Sequence, residues 1–90
     1  MIFEWNETKA KSNLAKHGIS FDDACGVFGD PLSVTVHDPS HSRTEDRFIT
    51  VGLSSSSSIV VVVHADRGER TRIISARNAT PSERRDYEET

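Results

Sequence analysis

A chain of 90 residues, 34% of them hydrophobic, with net charge −3 and a pI near 5.7, describes one small and lean domain. The charge argues against a general polyanion binder, and the lone Cys25 excludes an internal disulfide. The longest apolar run, Ile59–Val63, is strand-sized, and Met1–Trp5 has no basic start or cleavable apolar segment, so a cytoplasmic protein is expected.

Ile2–Trp5 alternates as a short strand. Asn6 is a good N-cap for a helix from Glu7 to about Lys16, and Gly18 stands where a left-handed stop belongs. Ala10 and Leu14 make its thin apolar stripe, while Lys9, Asn13 and Lys16 line an adjacent polar face. Ser20 caps a second helix whose Phe21, Ala24, Cys25 and Phe28 form a core-facing stripe, ended by Gly29-Asp30-Pro31. Cys25 reads as a small apolar core residue, not a nucleophile.

Leu32–Val36 alternates as a half-buried strand, and His37–Asp46 reads as a loop. Arg47–Leu53, the serine turn Ser54–Ser58, and the apolar Ile59–Ala65 give two further strands and their connection. Asp66-Arg67-Gly68 supplies a tight turn into the strand Arg70–Arg77. Thr80-Pro81-Ser82-Glu83 is a capping box for a closing helix to about Glu89, with Tyr87 its only large apolar side chain. The order β-α-α-β-β-β-β-α predicts an α+β domain, an antiparallel sheet covered on one side by an N-terminal helical hairpin.

Charge is unevenly spread. Asp22–Asp46 holds six acids and one basic residue, Arg67–Arg85 holds six arginines and two glutamates, and all three lysines fall within Lys9–Lys16. If the first helix lies beside the last strand, one region becomes basic. That strand carries Arg70, Arg72 and Arg77, whose planar donor forks suit phosphate. Strict alternation puts Arg72 and Arg77 on opposite faces, so they share a site only if the strand bulges or Arg77 lies past its end.

Several blocks in order resemble the BrnT family of bacterial type II toxins: Phe3-Glu4-Trp5-Asn6, Lys16-His17-Gly18-Ile19-Ser20-Phe21, Glu45-Asp46-Arg47-Phe48, Arg72-Ile73-Ile74-Ser75-Ala76-Arg77 and Glu83-Arg84-Arg85-Asp86-Tyr87. Asp46 departs from the glutamate usual there. The resemblance implies a RelE-like fold, a ribonuclease that blocks translation, and neutralisation by a BrnA-type ribbon-helix-helix antitoxin. Operator DNA would be reached only through that antitoxin.

Metal-independent cleavage by an attacking 2′-hydroxyl needs a base, cations for the phosphorane and an acid for the leaving oxygen. Arg72 and Arg77 are the candidate phosphate binders, and His17 is the side chain of a type that titrates nearest neutrality. Glu45 or Glu83 is the candidate base, and Tyr87 a stacking platform or proton donor. Lys9, Lys16, Arg47 and Arg84 complete the cations expected on RNA. Each has a structural competitor: His17 as a helix-end cap, the arginines as edge charges, Tyr87 as an anchor, Glu45 as an ion-pair partner of Arg47. His37 and His41 lack an evident third ligand, so no metal or other cofactor is expected. The alternative function is a non-catalytic module that binds a DNA-binding antitoxin as co-repressor. Whichever holds, the antitoxin is expected to cover the basic face or the Tyr87 helix.

Overall fold

The structure is a computed structural model, and it describes residues 1–41 and 45–89. Five strands, β1 (Ile2–Glu4), β2 (Val34–His37), β3 (Arg47–Leu53), β4 (Ile59–Arg67) and β5 (Arg70–Asn78), form one sheet in the order β1-β5-β4-β3-β2. β2 to β5 are an antiparallel meander, but β1 pairs parallel with β5, from Ile2 opposite Arg70 to Glu4 opposite Arg72. The sheet is therefore mixed, against the expectation of a wholly antiparallel one. The reason is that the helices between β1 and β2 let the chain cross over before the meander begins.

Helix α1 (Glu7–His17) has the expected Asn6 cap and a Gly18 stop at φ 71°. The second helix is shorter than its stripe predicts: α2 spans only Phe21–Ala24, and Cys25–Gly29 tightens into a 3-10 turn. Phe21, Ala24 and Val27 nevertheless bury against Val60, Val62, Ile73 and Ala76, so this hairpin closes one face of the sheet. Cys25 packs at the margin of that core, where burial and nearby Asp22 push its thiol up to about 11. β2 begins later than read, at Val34, and extends one residue further, to His37. Part of the following loop, residues 42–44, lies outside the described residues.

The stripe assigned to α1 requires correction. Leu14 is 50% exposed, whereas Asn13 from the supposed polar face is 8% exposed. The cause lies in β5, because β1 covers only its first residues and leaves Ala76 at an open edge. Asn13 Nδ2 donates to the carbonyls of Ala76 (2.9 Å) and Ile19 (3.1 Å), and Ala76 N–H donates to Asn13 Oδ1 (3.1 Å). The side-chain amide thus stands in for the missing strand and satisfies a buried edge that no apolar residue could.

Helix α3 (Pro81–Glu88) starts with the predicted capping box and lies on the opposite face from the hairpin. Tyr87 OH donates to Asp30 Oδ2 at 2.5 Å, and Asp30 also accepts from Leu32 N–H and Leu53 N–H. Gly52 makes room for this hub, since a Cβ there would stand 2.9 Å from Ser33 Cβ and 3.2 Å from Asp30 Oδ2.

Candidate functional site

The arginine question is decided by one register shift. Val63 pairs with Ser75 but the next residue, His64, pairs with Ile73, so β5 carries an extra residue, Ile74. Beyond that bulge the alternation of β5 changes phase. Arg77 then lies opposite Val61 and Arg72 opposite Ala65, two residues of β4 that share a face. Both arginines therefore lie on the face away from the hairpin. They are separated by about 13 Å along the sheet, with Ser75 between them. Arg70, the third guanidinium of the strand, turns to Glu4 of β1 at 3.8 Å and takes no part.

Cross-strand rows give this face its shape. Val34, Val51, Val61 and Arg77 form one row, under α3; Val36, Ile49, Val63 and Ser75 form the next. Arg47, Ala65 and Arg72 form the third. At that end Glu45 sits between two cations, its Oε2 3.7 Å from Arg72 Nη1 and its Oε1 4.0 Å from Arg47 Nε. The expected Glu45–Arg47 pairing is thus part of a triad that includes Arg72. At the other end Arg77 grips Glu83 bidentately, at 2.7 and 2.9 Å. The pairing raises the arginine and holds the Glu83 carboxyl at about 2. A carboxylate so stabilised is a poor base, which removes Glu83 from the two candidates for that task.

From α1, Lys9, Lys16 and His17 line a shallow cleft of about 220 Å³ with Ser12, Asn13, Ile74 and Ser75. The Asn13 clamp sets this placement, because it fixes the helix face on which Lys9 and Lys16 flank Asn13 by one turn each. Ser75 lines the cleft and also stands between Arg72 and Arg77, so it joins the two groups of cations. Sequence reasoning passed it over. The signal that finds it is the apolar rhythm of β5, where Thr71, Ile73 and Ala76 bury and the change of phase falls between Ile73 and Ala76.

Tyr87 is placed differently from its expected chemical role. It is buried at the α3 end of the face, and its bond to Asp30 pushes its hydroxyl up to about 12 while drawing Asp30 down. That proton stays on Tyr87 at neutral pH and points at Asp30. Arg84 is exposed on α3. His37 Nε2 lies 3.4 Å from Asp46 Oδ1, and the side chain of His41 lies outside the described residues. Among the described residues no group of at least three His, Cys, Asp or Glu is placed to hold a metal ion.

One unforeseen polar cluster lies in the opposite face. Thr50 Oγ1 is 2.7 Å from both His64 Nε2 and Thr35 Oγ1, with Phe28 and Phe48 against the imidazole. Burial lowers the pKa of His64 and keeps it neutral. The sheet separates it from the arginines.

A family model described as the ribonuclease toxin BrnT of a type II toxin-antitoxin system matches residues 5–83. The crystal structure of the Brucella abortus ribonuclease toxin BrnT is similar at 25% sequence identity, with a TM-score of 0.66. The match covers 89% of this chain and 99% of that one. Comparison with curated proteins found no match.

Proposed function

The chain belongs to the BrnT family of ribonuclease toxins of type II toxin-antitoxin systems, and from that membership we propose a metal-independent endoribonuclease with its site on the bulged face of β5. The observation that carries this reading is the convergence of Arg72 and Arg77 on one face, with Ser75 between them and the α1 cations across it. Arg72 supplies what a phosphorane needs, a positive donor fixed where charge develops, and Arg77 supplies a second phosphate contact along the strand. The site is rich in cations and poor in the carboxylates that a hard metal ion prefers.

In this mechanism RNA lies along the trough between α3 and the Glu45 triad. Arg72 holds the scissile phosphate beside Glu45, which takes the proton from the attacking 2′-hydroxyl. The oxygen then attacks phosphorus in line, a 2′,3′-cyclic phosphate forms, and the P–O bond to the 5′-oxygen breaks. His17 delivers the proton to that leaving oxygen. Arg77 binds a neighbouring phosphate, displacing Glu83, while Lys9, Lys16, Arg47 and Arg84 track the backbone. Tyr87 serves as the anchor of α3.

The fold reads as RelE-like, the partner as a BrnA-type antitoxin that carries the complex to operator DNA, and the workplace as the cytoplasm, where translating RNA is found. No helix among the described residues is long and apolar enough to cross a membrane. The test is cleavage of a defined RNA by the purified protein in excess EDTA. Fragments ending in cyclic phosphate are the expected products; cleavage that stops with chelation and returns with a divalent ion contradicts the mechanism.

A further inference from the structure

The face that carries the arginines has a chemically different outer half. Leu32, Val34 and Val36 are 59%, 43% and 52% exposed and follow one another into and along β2. β2 is an outermost strand of the sheet, and among the described residues no strand lies beyond it. It lacks the usual protection of such an edge, having no Lys, Arg, Asp, Glu or Pro from Leu32 to His37. Val34 and Val36 share the arginine face, and Val34 joins Val51 and Tyr87 as a wall of a cleft of about 180 Å³ beneath α3. The polar rim of that cleft is acidic, Glu83 and Asp86, with no basic residue in the lining among the described residues.

We propose that this surface between β2 and α3 is the docking site of the antitoxin, which seats apolar side chains there from a segment that also carries lysine or arginine. Charge selects this occupant. Asp86 repels RNA phosphates, whereas the charge of Glu83 is already met by the fork of Arg77. A second copy fits no better, because no Lys or Arg lies between Lys16 and Arg43. Two β2 edges brought together would set the acids flanking each strand, Asp30 and Asp38, against their counterparts. A basic, apolar partner segment satisfies both the valines and Asp86. Seated there, it also holds α3 down and keeps Glu83 on the fork of Arg77. That route of neutralisation rests on the phosphate role given to Arg77, whereas docking itself does not.

The experiment is calorimetric titration of purified toxin variants with the purified cognate antitoxin, with thermal melts to check folding. Val34→Glu combined with Val36→Glu is expected to raise Kd about 100-fold, and Asp86→Lys about ten-fold. Glu69→Lys, in the β4–β5 turn at the far end of the sheet, leaves Kd unchanged. RNA cleavage without antitoxin stays within about two-fold for Glu69→Lys. Unaltered Kd in both surface variants overturns the proposal. So does loss of toxin self-association at unchanged Kd, which marks a second copy as the occupant, or loss of RNA cleavage at unchanged Kd, which marks RNA. If the wild type itself cleaves no RNA, the ribonuclease mechanism fails while the titration still decides docking.

Discussion

At the scale of single residues, the central contact is the Arg77–Glu83 fork, because it is both a structural latch and the competitor of a phosphate. Glu83 is more acidic folded than unfolded, so its contribution to stability is present above its usual value of 4.5 and is lost as pH falls toward about 2. Partial exposure screens the pair, leaving about 1 kcal/mol. Glu83→Gln is therefore expected to lower the melting temperature by a few degrees near neutrality and to flatten the acid limb of the stability curve. The same variant frees the guanidinium, so KM for RNA should fall about three-fold, read by steady-state kinetics. His64 gives a second pH signature. Its depressed folded pKa means stability is complete above about 6.5 and declines as pH falls through that value toward the folded one. His64→Gln should remove that slope in urea titrations between about pH 5 and 7.

Elements explain what the sequence made legible and what it hid. The strand-and-helix order was readable because caps and alternation are local: Asn6, Gly18, Ser20 and the Thr80 box all act where they stand. Hidden were features that depend on partners far along the chain. Asn13 looks like a surface residue until β5 leaves the edge at Ala76 uncovered, 63 residues away. The bulge at Ile74 shows only as a broken rhythm, and its consequence, bringing Arg72 and Arg77 to one face, needs the β4 register to be seen. Asp30 and Tyr87 meet only when α3 folds back on the sheet. Asn13→Ala would leave one buried backbone donor and two acceptors without this partner, a cost of about 2–4 kcal/mol. It should also loosen α1 over Ser75, so RNA affinity is expected to fall even below the unfolding transition; denaturant melts and filter binding measure the two effects separately.

For the whole molecule, the net charge of −3 hides a division of labour. The bulged face gathers cations from α1 and β5 around Glu45, while other acids of the chain's first half, such as Asp23 and Asp30, serve as internal hydrogen-bond hubs. A small site of this kind contacts about three phosphates, which for a single strand predicts a slope of log K against log salt near −2. A slope near zero would remove electrostatic backbone recognition from the account.

The measurement that bears most directly on the central claim is inducible expression of wild type, Arg72→Ala and Arg77→Ala in a bacterium without antitoxin, following growth and total RNA on a gel. Growth arrest with rapid RNA loss is expected for the wild type, and for each variant a loss of cleavage of about 100-fold or more with the protein folded and present. Unabated RNA loss in both variants would contradict it, and would move the cleavage site off the bulged face of β5.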